Sequence, residues 1–85
     1  MLSELPNIGK ELEQRLGSIG IHNPGDLAEL GSIGVLQRLD ALSAPGCINM
    51  LYALEGAIRG TRWHNLSSEV KENLKTELKS ALTEQ

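Results

Sequence analysis

The stretch from about Pro45 to Arg59 constrains this chain more than any other. Cys47, Met50 and Leu54 fall on one face at helical spacing, and Ile48, Leu51, Tyr52 and Ile58 fall on another. A helix that is apolar nearly all round must be enclosed by other elements. In a chain of 85 residues it has to be the centre of one small domain, residues 1 to 85, around which everything else packs. Gly56 and Gly60 lie four apart near its end, so a neighbouring backbone can approach closely there. Gly60 is expected to end the helix.

The flanking segments read as shorter helices. Leu12, Leu16 and Ile19 make one stripe, with an end expected near Ser18 and Gly20 in the C′ position. Asn23-Pro24-Gly25-Asp26 reads as an N-cap, a proline at N1 and an acid at N3. That helix should stop near Leu30, before Gly31. Ser32 is expected to cap a third helix with apolar positions Val35, Leu36, Leu39 and Leu42. Ser43-Ala44-Pro45-Gly46 is the clearest break in the chain. After a link over residues 61 to 67, Ser67 or Ser68 caps a last helix striped by Val70, Leu74, Leu78 and Leu82. No segment alternates apolar and polar residues as a strand does. The expected fold is all-α, a compact bundle of about five short helices. Its expected core is Leu12, Leu16, Ile19, Leu39, Ile48, Leu51, Leu54, Ile58, Leu74 and Leu78, with Trp63 sealing one side.

Charge narrows the function. The net charge is −3. Residues 1 to 42 hold Lys10, Arg15 and Arg38 against Glu4, Glu11, Glu13, Asp26, Glu29 and Asp40, whereas the remainder is balanced. Non-specific DNA affinity comes from clustered Lys and Arg at phosphates, so DNA binding here would be local and weak. No apolar run approaches the ~20 residues that cross a bilayer, and the N-terminus lacks a secretory signal pattern. With Cys47 as the only cysteine an internal disulfide cannot form, and the cytoplasm is the expected setting.

One element carries recognisable chemistry. Leu5-Pro6-Asn7-Ile8-Gly9-Lys10 is a glycine turn leading straight into a helix, where exposed N–H groups and the helix dipole favour an anion. Two readings of this turn are open. Either the N–H groups near Ile8, Gly9 and Lys10 hold a DNA phosphate, or Pro6 and Gly9 shape the helix entry with Asn7 as its cap. His22, Cys47 and His64 match no zinc spacing, and no catalytic or metal-ligating set is expected. Glu55 is expected to pair with Arg59 one turn on, or with a basic group elsewhere in the fold. Trp63 reads either as a core plug or, with Tyr52, as part of a protein-interaction surface. Lys71, Lys75 and Lys79, interleaved with glutamates, read as a solvated face.

Leu5-Pro6-Asn7-Ile8-Gly9, then Gly20-Ile21, then Leu51-Tyr52-Ala53-Leu54-Glu55-Gly56-Ala57, then Gly60, Trp63 and Leu66, resemble the C-terminal domain of TfoX/Sxy-type proteins. The resemblance runs from about Leu5 to Leu78. It implies a helix-hairpin-helix or SAM-like arrangement in a free-standing domain of this type. It also implies bacterial competence regulation, in which full-length members are thought to act with the cyclic-AMP receptor protein. Two features differ from a DNA-binding hairpin: Asn7 stands where a glycine is usual, and residues 1 to 4 are too few for the preceding helix.

The function expected is that of a non-enzymatic regulatory or adaptor domain, monomeric or homodimeric and without a cofactor. It would act on an unidentified protein partner, with the transcription machinery as a candidate. The alternative is a helix-hairpin-helix-type module holding the DNA backbone through Asn7, Ile8, Gly9 and Lys10.

Overall fold

A computed structural model describes residues 2 to 43 and 46 to 83. After a 3₁₀ turn at Leu2–Glu4 come four α-helices: α1 (Lys10–Ser18), α2 (Pro24–Ala41), α3 (Ile48–Arg59) and α4 (Ser68–Thr83). A second 3₁₀ turn, Trp63–Asn65, links α3 to α4. No strand occurs among the described residues. The Cα radius of gyration, 11.9 Å, is what a well-packed chain of this length should have.

The all-α expectation holds, but the helices number four rather than five. The second and third expected helices form one element, α2, broken at Gly31, whose φ of 81° and ψ of 162° are not helical. The break falls where two helices were expected to part. A left-handed φ costs glycine little, so the chain changes direction there. Ser32 does not serve as the expected cap. It is buried and donates its hydroxyl to a Glu55 carboxylate oxygen at 2.8 Å.

The local end signals operate as read. Asn23 accepts the Asp26 N–H at 2.9 Å and caps α2, with Pro24 in its first turn. Ser67 accepts the Val70 N–H at 3.1 Å and caps α4. At the end of α1, the Ile21 N–H reaches Leu16 O (2.9 Å) and the Gly20 N–H reaches Gly17 O (3.1 Å), with Gly20 at φ 87°. At the end of α3, the Thr61 N–H reaches Gly56 O (2.8 Å) and the Gly60 N–H reaches Ala57 O (3.2 Å), with Gly60 at φ 74°. Both are Schellman closures, which satisfy the last helical carbonyls and reverse the chain sharply. Pro45, the expected start of the central helix, lies outside the described residues.

As expected, α3 lies at the centre. It packs chiefly on α2, and α4 closes over both. Leu16, Leu27, Leu51 and Leu54 are fully buried, each contributing about 1.5–3 kcal/mol relative to exposure. Of the expected core, Leu16, Leu39, Leu51, Leu54 and Leu74 are buried, whereas Leu12, Ile19, Ile48, Ile58 and Leu78 pack half-buried around them. Leu2, Ile8 and Ile21 are also core residues. They sit in turns, where no periodicity marks a buried position. Trp63 does not seal the core, because 40% of its surface is exposed. Its place on a connecting turn lets its backbone pack against α3 while the indole stays outside.

Gly56 is the tightest point of the central helix. A Cβ there would stand 2.6 Å from Asn7 Nδ2, 2.8 Å from Thr61 O and 3.2 Å from Trp63 Cα. Thr61 O and Trp63 Cα belong to backbone, which cannot rotate aside. Gly56→Ala is therefore expected to lose about 1–3 kcal/mol of stability, despite alanine's better helix propensity. The check is the urea midpoint, and a variant as stable as the parent would show that this approach is loose.

Candidate functional site

The turn that carries the sequence motif is anchored by one side chain. Asn7 has φ 70°, a left-handed conformation that asparagine tolerates better than most residues. That backbone turns its carboxamide onto the end of α3. Nδ2 donates to Ala53 O at 3.2 Å and to Thr61 O at 2.9 Å, and Oδ1 accepts the Trp63 N–H at 3.1 Å. Three bonds thus join residue 7 to backbone 46 to 56 positions away. Asn7 does not cap α1: its N-cap is Gly9, which has no side chain to bond the first N–H groups.

The four residues of the phosphate reading therefore occupy different environments. Asn7 is half-buried and internally bonded, and Ile8 is a core residue whose N–H faces Leu5 O at 3.4 Å. Gly9 and Lys10 are exposed at the start of α1. The segment before the turn is the short 3₁₀ turn Leu2–Glu4, tied to α1 by the Ser3 N–H donating to Glu13 at 2.8 Å.

Tyr52 and Trp63 are brought together through α4. The Lys71 ammonium lies 5.7 Å from the Tyr52 ring centre and 5.1 Å from that of Trp63, within the range of cation–π attraction. His64 meets Trp63 edge-on, with ring centres 5.9 Å apart. The first of the lysine stripe thus leans onto aromatic rings, whereas Lys75 and Lys79 are exposed.

Beside Trp63 runs a solvent-open groove of about 630 Å³, bounded by α1, the first half of α3 and the link after α3. Leu12, Met50, Ala53 and Trp63 supply its apolar surface, with Arg15, Arg62 and Glu11 as its charged residues. Gly9 and Cys47, the N-cap residues of α1 and α3, also line it, and neither helix start is capped by a side chain. This groove was missed from the sequence. Leu12 read as core, Met50 as part of one apolar face of the central helix, and Arg62 carried no motif. Only their shared position beside the Asn7 anchor brings them together.

A second polar contact lies between α2 and α3. Glu55 accepts from Ser32 at 2.8 Å and from Arg59 Nε at 2.7 Å, which holds the broken helix against the central one. The expected Glu55–Arg59 pair is present, and Ser32 is the addition. His22, Cys47 and His64 are all exposed, and among the described residues no three His, Cys, Asp or Glu side chains gather as a metal site. Among these residues, no helix is long and apolar enough to cross a membrane.

The chain that folds in this way falls into a known class of domain. The model of the TfoX C-terminal domain matches residues 1–78, and the chain belongs to that family. Two crystal structures of Listeria monocytogenes proteins share its fold. An uncharacterized protein in a triclinic form is 46% identical, with a TM-score of 0.85, over 94% of this chain and 91% of that one. A protein of unknown function in a tetragonal form is also 46% identical, with a TM-score of 0.83, over 92% of this chain and 96% of that one. No curated protein matches the chain significantly.

The Asn7 anchor can be dissected. Asn7→Gly keeps the left-handed φ but removes three bonds, and is expected to cost about 1–3 kcal/mol. Asn7→Ala adds backbone strain and should cost about 1 kcal/mol more. Thermal melts of both variants beside the parent would check the order. A glycine variant that melts with the parent would mean the anchor contributes little.

Proposed function

We propose that this domain is a non-enzymatic regulatory adaptor that acts by binding a protein partner. The observation that carries this reading is Trp63. The chain's only tryptophan is held at its backbone by Asn7, yet 40% of its surface faces solvent. A large side chain kept at the surface by a rigid support is the usual anchor of a protein interface. Membership of the TfoX C-terminal domain family supports a role in bacterial competence control in the cytoplasm. Tyr52, beside Trp63 across Lys71, extends the same surface.

The test is affinity capture from bacterial lysate with the parent domain and with Trp63→Ser. A defined partner should be retained by the parent and lost by the variant, while the thermal melts of the two stay within a few degrees. Capture that ignores Trp63 would remove the reading.

The open N-terminus of α1 favours a second reading, DNA-backbone binding. Gly9 leaves it without a side-chain cap and Lys10 stands beside it, so Gly9 and Lys10 would meet the phosphate while Asn7 and Ile8 hold the turn. This reading expects affinity for a labelled duplex that falls steeply with salt and drops further in Lys10→Glu. Fluorescence anisotropy at low and near-physiological salt decides it, and salt-independent affinity, or none, ends it.

A further inference from the structure

We infer that Lys71 is the positioning residue for Trp63: its ammonium, lying over two aromatic rings, fixes the indole in the orientation that the domain presents. Where it concerns a partner, this deepens the adaptor reading and rests on it.

Asn7 sets the Trp63 backbone and no more. Its Oδ1 accepts the Trp63 N–H at 3.1 Å, which leaves rotation about χ1 and χ2 open. Packing covers only part of the side chain, since 40% of the residue is exposed. The indole therefore needs contacts of its own to stay in one rotamer. Two are present. The Lys71 ammonium stands over the ring at 5.1 Å from its centre, and His64 meets the ring edge-on at 5.9 Å. His64 is the next residue of the same short turn, so it moves with Trp63 and cannot fix the ring to the body of the domain. Lys71 can. It stands on α4, and its ammonium also lies over Tyr52 of α3, 5.7 Å from that ring centre. One cation thus ties the turn to two helices.

The setting of Lys71 fits this role. It is half-buried, whereas Lys75 and Lys79 of the same stripe are exposed. Among the described residues it has no carboxylate partner, so its charge meets the two rings instead. Helix stability does not account for a lysine there. Position 71 lies three residues after Ser68, the start of α4, near the positive end of the dipole, where an acid is favoured. The rings do account for it, because tryptophan and tyrosine faces attract a cation. An indole already held in its presented orientation gives up little rotamer freedom when a partner closes on it.

The test compares Lys71→Gln, Lys71→Glu and Lys71→Arg with the parent and with Lys75→Gln. These residue types have similar helix propensities, and glutamate at 71 even suits the dipole, so a loss in those variants reports on the rings and not on α4. In the parent, ring currents should displace the Lys71 Cε protons upfield of those of Lys75 and Lys79. Trp63→Ser and Tyr52→Leu should each remove part of that displacement. Trp63 is the only tryptophan, so its selectively excited fluorescence reports on this indole alone. Lys71→Gln and Lys71→Glu are expected to shift the balance from held to free indole about two- to fivefold, read as lower anisotropy and stronger quenching by acrylamide. Lys71→Arg should restore both, and Lys75→Gln should change neither.

Parent-like anisotropy and quenching in Lys71→Gln and Lys71→Glu would overturn the assignment. So would Lys71 Cε protons that resonate with those of Lys75. Failure of Lys71→Arg to restore the indole would assign the effect to shape instead of charge, and would overturn it as well. If the Lys71 variants free the indole while lysate capture ignores Trp63→Ser, the adaptor reading falls and the positioning of the indole by Lys71 stands.

Discussion

The carboxamide of Asn7 is the constraint on which the rest of this structure depends. It holds the N-terminal turn, the end of the central helix and the start of the following link together through three hydrogen bonds. None of those segments is regular enough to position the others. The bonds form only because three local features coincide. Asn7 adopts a left-handed backbone, Gly60 reverses the chain so that the Thr61 carbonyl faces back, and Gly56 has no side chain to fill the space. Each feature costs something alone: left-handed strain, the entropy of a helix-terminal glycine, and poor propensity within a helix. Together they let one carboxamide bond Ala53 O, Thr61 O and the Trp63 N–H in a single junction.

The junction also explains why Trp63 stays at the surface of the domain. With Asn7 holding the Trp63 backbone, the indole has no core position to fill. It is left between the groove on one side and the Tyr52–Lys71 contact on the other. A side chain of that size on a mobile loop would be a poor anchor, because binding would have to order it first. Here its backbone is already ordered by one of the bonds that close the fold. The Ser32–Glu55–Arg59 contact plays a comparable part on the opposite flank, holding the broken α2 against α3.

Much of the architecture was legible in the chain. The helix ends at Gly20 and Gly60, the caps at Asn23 and Ser67, the break at Gly31 and the central place of α3 all follow from short-range rules, because caps and left-handed glycines act over four or five residues. The expectations failed where contacts are long-range. Trp63 was expected against the core and lies outside. Ser32 was expected to cap a helix and instead bonds a carboxylate 23 positions away. Leu2 and Ile8 carried no periodic signal and are buried. The groove was invisible for the same reason, since Leu12, Met50 and Arg62 come from three segments that share no pattern.

Apolar periodicity and the placement of glycine and proline were sufficient to dictate an all-helical domain with a buried α3, because each helix carries its own core-facing stripe and its own stop signals. Tertiary packing alone decided what the Asn7 turn does. An asparagine in a glycine turn can equally cap a helix, leave its N–H groups to a phosphate, or reach across the fold. The choice depends on which carbonyls lie within hydrogen-bonding distance of its amide. That distance is set by the end of α3, some 50 residues later in the chain, and by the missing Cβ of Gly56 that lets the two segments meet.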